Sequence, residues 1–163
     1  MSDVLPDILA PGLRLLLCGS AAGRESARVG MPYAHPGNRF WRTLEEVGLT
    51  SRRLRPEDAP ALLDDGIGLT DVCKTAFGAD SELPAGADDV DRLRATVDHY
   101  RPDTLAFVGK RAAQVALGRR AIAYGPQPER FGGAETWVVP STSGLAVRFW
   151  DVQPWRQLAA RVA

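Results

Sequence analysis

A short apolar segment that opens into a loop of small residues is the part of this sequence best suited to hold a flat ligand. The segment covers residues 13–18, and residues 19–23 read Gly-Ser-Ala-Ala-Gly. A loop without bulky side chains lets a ligand approach its backbone N–H groups closely. Tyr33, which lies among prolines, could supply one wall of a pocket for a ring. These residue types predict a site for a planar ligand, although the glycines would also suit a plain turn.

Apolar runs and helical patterns alternate along the chain and must position this site. Strands are predicted at residues 13–18, 66–72, 104–108 and 136–139, and helices at 38–47, 56–65, 90–100, 110–117 and 154–162. Strands that alternate with helices favour a mostly parallel sheet with helices on both faces. The prediction is therefore an α/β fold of three layers, αβα, around a four-stranded central sheet. Residues 1–163 are expected to form one domain.

Three loops follow predicted strands and are expected to meet. In doubly wound α/β folds, ligands bind at the carboxyl ends of the strands, where the loops gather. The loops cover residues 19–38, 70–80 and 140–150. We expect them to build one site.

The composition is that of a globular protein without a charge bias. Apolar residues make up 45% of the chain, and 20 basic residues balance 20 acidic ones. Zero formal net charge argues against a protein that coats nucleic acid indiscriminately. No segment is apolar for long enough to span a bilayer, and the first residues do not resemble a signal peptide. No membrane partner and a cytoplasmic location are expected.

Metal chemistry is not expected either. Two cysteines, Cys18 and Cys73, cannot form a four-thiolate iron–sulfur or zinc site, and the chain has only two histidines. The cysteines are predicted to be small buried residues that stay reduced. No cofactor is predicted.

The string Pro-Tyr-Ala-His-Pro-Gly-Asn-Arg-Phe-Trp at residues 32–41 resembles the uracil-DNA glycosylase superfamily. The chain is most similar to its mismatch-specific uracil/thymine branch, and the resemblance covers nearly the whole length. It implies a uracil-DNA glycosylase-like fold and a cofactor-free, monofunctional enzyme, expected as a monomer. Such an enzyme flips a deaminated base out of double-stranded DNA and hydrolyses its N-glycosidic bond in base excision repair.

The first loop implies a base pocket that lacks its usual polar residue. The branch has Gly-Ile-Asn-Pro-Gly here, and its asparagine positions the attacking water; aligning the glycines places Ala21 at that position. The resemblance still assigns Gly19, Ser20 and Ala21 to the pocket, where backbone N–H groups would hold a carbonyl of the departing base. Tyr33 matches the aromatic residue on which the flipped base stacks. Ser141 is assigned to the same pocket.

Asp71 is the first candidate for the catalytic group, by resemblance to mismatch glycosylases with an alternative catalytic aspartate, and Asn38 is the second. Residues 68–72, Gly-Leu-Thr-Asp-Val, match Gly-Val-Thr-Lys-Leu or Gly-Phe-Thr-Asn-Met in the family, which implies that Asp71 faces the pocket. A carboxylate near C1′ would stabilise an oxocarbenium-like transition state and accept a proton from water. The related hypoxanthine-DNA glycosylases also lack the first-loop asparagine, and there an asparagine similar to Asn38 is thought to serve catalysis. Either residue would also suit a cap of a helix or turn.

The third loop resembles the family segment that enters the duplex. Residues 140–146, Pro-Ser-Thr-Ser-Gly-Leu-Ala, are similar to Pro-Asn-Pro-Ser-Gly-Leu-Ser, and Leu145 is implied as the wedge that fills the gap left by the flipped nucleotide. The other residues expected to contact DNA are Ser143, Gly144, Ala146 and Arg148. Arg148 would equally suit an ordinary solvated surface.

Mismatch-specific removal of uracil is the function that the sequence favours. Within the same class, the alternative is a glycosylase for hypoxanthine or for a broad range of deaminated bases. From a different class, the chain could be a non-catalytic protein that binds damaged DNA, with the pocket and wedge kept but the asparagine lost. A nucleotide-binding module is disfavoured, because no Gly-x-Gly-x-x-Gly or Walker pattern follows a strand.

Overall fold

A five-stranded sheet lies at the centre of the computed structural model, which describes residues 2–163. Four of its strands are parallel, and a short edge strand pairs antiparallel with one of them. The strands are β1 (Leu15–Gly19), β2 (Ile67–Asp71), β3 (Thr104–Val108), β4 (Gly125–Pro126) and β5 (Glu135–Val139), in the spatial order β2-β1-β3-β5-β4. The predicted α/β class and the mostly parallel sheet are confirmed.

The short strand β4 corrects the prediction of a four-stranded sheet. It lies within residues 124–133, a segment rich in proline and glycine, and it pairs with Trp137 and Val138 of β5. A strand of two residues has no room for the alternating pattern that identifies longer strands. Its proline is tolerated because β4 is an edge strand.

Helices cover both faces of the sheet. The α-helices of the described residues are α1 (Arg24–Val29), α2 (Phe40–Glu46), α3 (Val90–Tyr100), α4 (Lys110–Leu117) and α5 (Gln153–Val162). The 3₁₀ helices of the same residues are Pro56–Asp65, Asp80–Glu82 and Gly144–Phe149. Helices α2 to α5 lie at predicted positions. Helix α1 lies within the predicted first loop, and its six residues are too few to show a helical period.

Apolar side chains fill a separate core on each face of the sheet. In β1, Leu15 and Leu17 belong to one core, while Leu16 and Cys18 belong to the other. Helices α2 and α5 add buried residues to the first core, and α3 and α4 add them to the second. Burial on both faces explains why the strands are mostly apolar instead of alternating between apolar and polar residues. The ends of these rigid strands can therefore carry a site.

The free edge of β2 is covered by residues 4–8, called here the N-terminal segment. Ile8 and Leu69 exchange two backbone hydrogen bonds, of 3.0 and 2.9 Å, and the N–H of Val4 donates to the carbonyl of Lys74 at 2.7 Å. The segment thus reaches past the carboxyl end of β2. In the part of the chain that the structure describes, no helix combines the length and apolar character needed to cross a membrane.

Candidate active site at the carboxyl edge of the sheet

Asp71, Gly19 and Tyr33 lie together at the carboxyl ends of β1 and β2. Asp71 ends β2 and pairs in register with Gly19, which ends β1. A Cβ atom on Gly19 would lie 2.5 Å from Oδ1 of Asp71 and 3.1 Å from the hydroxyl oxygen of Tyr33. Glycine at position 19 therefore leaves the space in which the carboxylate and the phenol approach the strand. Three of the residues that the sequence assigns to the site are brought together here.

The ring of Tyr33 is held against α2. It stacks on Phe40 with the ring centroids 3.7 Å apart and an angle of 6° between the planes. The backbone of Tyr33 has a φ of +51°, a conformation that few non-glycine residues adopt. One face of this ring is thus covered by Phe40, and a stacked base would need the other face. Burial and the nearby Asp71 raise the pKa of the Tyr33 hydroxyl, which keeps it a neutral hydrogen-bond donor.

A cavity of about 20 Å³ lies beside Asp71. Tyr33, Thr70 and Lys74 line it together with apolar residues of the N-terminal segment. This volume suits a water-sized group and is far smaller than the pockets that hold organic ligands. A base would therefore contact Asp71 from outside this cavity.

The carboxylate of Asp71 is nearly enclosed, and its pKa is raised toward neutral pH. Its side chain is 15% exposed, and Oδ2 lies 3.9 Å from Nζ of Lys74. Burial raises the pKa of Asp71 to about 6, Lys74 and Arg92 act to lower this pKa, and Asp7 acts to raise it. At neutral pH the carboxylate is mostly ionised, yet it can take a proton readily. These are the properties of a general base.

Three charged residues that the sequence analysis did not identify surround Asp71. The ammonium of Lys74, only 3% exposed, lies 2.7 Å from Oδ1 of Asp7. Arg92 pairs with the other oxygen of Asp7 at 3.5 Å and donates to the backbone carbonyl of Asp71. The spacing of Asp71 and Lys74 after a strand could have indicated the lysine. Asp7 and Arg92 come from distant segments, and no pattern in the sequence links them to the site.

Backbone hydrogen bonds join the first and second loops. The carbonyls of Gly19 and Ser20 accept from the N–H groups of Val72 and Cys73 at 2.9 and 2.8 Å. The Ser20 hydroxyl accepts from Arg111, which also binds Asp88 through both of its terminal nitrogens. Ser20 is thus tied to α4 by its side chain.

Ala21, half-buried in the same loop, brings no polar side chain to the site. The backbone N–H groups of this loop remain the predicted donors to a base.

The third loop packs against the second half of the first. The N–H of Arg39 donates to the carbonyl of Thr142 at 2.9 Å. A Cβ atom on Gly144 would lie 3.2 Å from the carbonyl oxygen of Gly37. Serines organise the turn: Ser141 Oγ accepts from the N–H of Ser143 at 3.3 Å, and Ser143 Oγ accepts from the N–H of Leu145 at 3.2 Å.

An apolar tip projects from the third loop. Leu145 is 87% exposed and lies on the 3₁₀ helix Gly144–Phe149, which also exposes Val147 and Phe149. Arg148 is exposed beside them, and Ala146 is half-buried. Exposure of three large apolar residues within five positions needs an explanation, because isolated domains rarely expose such patches without a partner. Insertion of Leu145 into DNA stays a prediction.

Asn38 makes local contacts. Its Oδ1 accepts from the N–H of Phe40 at 2.9 Å, and its own N–H donates to the carbonyl of His35 at 2.9 Å. The predicted capping of α2 by this side chain is therefore present, but Arg39 rather than Asn38 occupies the N-cap position. The second candidate for catalysis has its side-chain oxygen engaged with α2. A catalytic role for Asn38 stays a prediction.

The strand order separates the two groups of residues along one edge. Asp71 ends β2 and Ser141 follows β5, with β1 and β3 between the two strands. Neighbouring strands lie about 4.8 Å apart, so these positions are roughly 14 Å from each other. Ser141 lies beside Gly109, which follows β3. Asp71 and the third loop thus lie at opposite ends of the carboxyl edge formed by the four parallel strands.

Within residues 2–163, no group of three or more His, Cys, Asp or Glu side chains could hold a metal ion. Both cysteines are buried and free, as predicted. Burial, more than any neighbouring charge, raises the pKa of the Cys18 thiol, which makes it a poor nucleophile.

The fold is that of an α/β protein whose strands end at one edge of the sheet. A buried carboxylate lies at one end of this edge, and an exposed apolar loop lies at the other. Residues 6–159 match the model of the Uracil DNA glycosylase superfamily, and the chain belongs to this superfamily. It is similar to a solution NMR structure from Methanosarcina acetivorans described as "a putative Uracil DNA glycosylase". The two are 25% identical with a TM-score of 0.69, over 97% of this chain and 96% of the other. Membership supports DNA glycosylase activity, with DNA as the partner.

Proposed function

We propose that the chain is a monofunctional, mismatch-specific uracil-DNA glycosylase that acts as a monomer on double-stranded DNA. Membership in the superfamily supports the glycosylase class. The observation that carries the finer proposal is the carboxylate of Asp71, which sits against Gly19 and Tyr33 with a pKa of about 6. Asp71 stands in for the water-positioning asparagine whose place Ala21 takes.

In the proposed reaction, the bond between C1′ and the base nitrogen breaks while water adds to C1′. The sugar gains positive charge as the base leaves, and the ionised Asp71 stabilises that charge. Asp71 also accepts the proton of the attacking water. Backbone N–H groups of residues 19–21 stabilise the negative charge on the departing base. The products are the free base and an abasic site.

The burial and the ion pairs of Lys74 support hydrolysis by water without a lyase step. Its ammonium is 3% exposed and lies between Asp7 and Asp71. An amine that attacks a sugar must reach it and must give up its ion pairs. Lys74 has neither the access nor the freedom to do so.

A broader range of deaminated bases, including hypoxanthine, is the second candidate. It is favoured by Tyr33, because stacking on an aromatic ring does not distinguish one base from another. A non-catalytic DNA-binding role is the third, and excision assays separate it from the other two.

The test is the substitution Asp71→Asn, which removes the charge and keeps the shape. We expect a loss of about a hundredfold or more in single-turnover excision with little change in DNA binding. The measurement uses labelled oligonucleotides with U·G, U·A or hypoxanthine pairs, or with uracil in a single strand, followed by alkali cleavage. The control Asp91→Asn removes an exposed carboxylate from α3. Wild-type excision by Asp71→Asn would reject the assignment and direct attention to Asn38.

A further inference from the structure

The N-terminal segment brings a carboxylate to the side of the site that β1 does not cover. Hydrogen bonds hold the segment on both sides of Asp7, at Val4 to Lys74 and at Ile8 to Leu69. Leu5, within the segment, is buried. The backbone at Asp7 is therefore held in place by hydrogen bonds on both of its sides.

Asp7 and Asp71 share one buried ammonium. Nζ of Lys74 lies 2.7 Å from Asp7 and 3.9 Å from Asp71. Arg92 also divides its contacts, with its guanidinium on the Asp7 carboxylate and on the backbone carbonyl of Asp71. The side chains of both aspartates are mostly enclosed, at 17% and 15% exposed. Charges act strongly on one another where water is largely excluded.

We propose that Asp7 and Lys74 are positioning residues that set the charge of Asp71 in opposite directions, and this inference rests on the proposed role of Asp71. Lys74 stabilises the ionised carboxylate. Asp7 opposes this effect for two reasons. Its negative charge disfavours the ionised form of Asp71, and it pairs with Lys74 and Arg92, which would otherwise attract Asp71 alone. The balance keeps Asp71 able to accept a proton near neutral pH.

The groups that face Asp71 come from every element around it. They are Lys74 from its own loop, Asp7 from the N-terminal segment, Arg92 from α3 and the Tyr33 hydroxyl, while the Cys18 thiol of β1 lies in the core on the other face of the sheet. Burial raises the pKa of both Tyr33 and Cys18, so neither adds charge near neutral pH. The charged groups around Asp71 are thus Lys74, Arg92 and Asp7.

The experiment compares Asp7→Asn, Lys74→Gln and Lys74→Arg in the full chain. The carboxyl carbon of Asp71 is titrated by ¹³C NMR, and single-turnover excision of uracil is followed against pH. We expect Asp7→Asn to move the Asp71 titration and the acid limb of the rate profile to lower pH, and Lys74→Gln to move both to higher pH. Each shift should be about one pH unit or more. Lys74→Arg keeps the charge and should restore the wild-type profile in large part.

Glu135→Gln is the matched control, because it removes a carboxylate from an ion pair with Arg161. Glu135 begins β5 and so lies at the amino ends of the strands, away from Asp71. This variant should leave both profiles unchanged. An Asp71 titration that stays in place, or that moves in the same direction in Asp7→Asn and Lys74→Gln, would overturn the inference. If Lys74→Gln does not fold, the direction of the Asp7→Asn shift decides alone. Full activity of Asp71→Asn would instead overturn the proposed function, whatever the titration shows.

Discussion

Asp71 is a carboxyl group whose folded environment favours the protonated form. Burial raises its folded pKa to about 6, against an ordinary value of 3.8. Below pH 3.8 the group is neutral in both the folded and unfolded states, so its ionisation does not lower the free energy of unfolding. As the pH rises from about 4 to about 6, the unfolded chain ionises first, so the free energy of unfolding falls. Above pH 6 the folded protein carries an enclosed charge that weakens it.

Asp71→Asn should therefore stabilise the protein at pH 7. A difference of about two pKa units corresponds to roughly 2–3 kcal/mol in the free energy of unfolding. Urea denaturation at pH 7 and at pH 4 measures it, and the gain should nearly vanish at pH 4. Asp91→Asn, on the surface of α3, should show no comparable gain. Equal stability of Asp71→Asn and the wild type at pH 7 would mean that the charge is well solvated.

Gly19 tests the geometry of the same carboxylate from the opposite strand. Because a Cβ atom would lie 2.5 Å from Oδ1 of Asp71, Gly19→Ala should push the carboxylate away. We expect single-turnover excision to fall at least about tenfold, since small displacements of a catalytic group are costly. Gly23→Ala is the control, because a Cβ atom there meets open space at an ordinary φ of −74°. Similar rates for the two variants would contradict the proposed contact.

The sequence predicts part of this group of residues but not its electrostatics. Gly19 follows from the small residues at the end of a strand, Tyr33 from an aromatic residue among prolines, and Asp71 from a family pattern at the second strand and its loop. Asp7 and Arg92 could not be predicted, because their relation to Asp71 depends on how an N-terminal segment pairs with β2 and how α3 packs. Charges on distant segments leave no local pattern in a chain.

At the scale of elements, the apolar runs predict the four parallel strands, because burial on both faces makes these strands mostly apolar. Helices α3 to α5 follow from their periodic buried residues. Helix α1 and strand β4 are too short to produce a pattern. The 3₁₀ helix Pro56–Asp65 is predicted only as a helix, although Pro60, which cannot donate a hydrogen bond, disfavours an α-helix there.

The 3₁₀ helix Gly144–Phe149 is the element that tests contact with a duplex. If Leu145 fills the gap left by a flipped nucleotide, Leu145→Ala should make flipping costlier by a few kcal/mol at most. Excision from duplex DNA should then fall about tenfold or more, while excision from a single strand changes little, because a single strand has no opposing stack. Single-turnover rates on the two substrates measure the difference.

Val147→Ala is the control for that helix. Val147 is also apolar and is 55% exposed on the same short helix. It should affect duplex excision less than Leu145→Ala does, since the third-loop pattern assigns the wedge to Leu145. Equal losses on duplex and single-stranded substrates would indicate a general defect of the loop instead of a role in base flipping.

For the whole molecule, zero net charge means that affinity for DNA must come from locally placed cations. Arg148 is exposed on the 3₁₀ helix that carries Leu145. If it contacts a phosphate, Arg148→Gln should weaken binding to all duplexes alike. It should also reduce the slope of log affinity against log salt concentration by about one. Binding titrations over a range of salt concentrations measure both effects.

Arg161→Gln separates a local contact from the field of the whole protein. It changes the net charge by the same amount, but Arg161 lies on α5 and pairs with Glu135 at the opposite edge of the sheet. We expect its salt dependence to match that of the wild type. If both variants lower affinity equally, overall charge governs binding and the third loop holds no phosphate. If neither does, Arg148 belongs to the solvated surface and the DNA backbone is held by other cations. A smaller slope for Arg148→Gln alone would support the carboxyl edge of the sheet as the face that receives DNA.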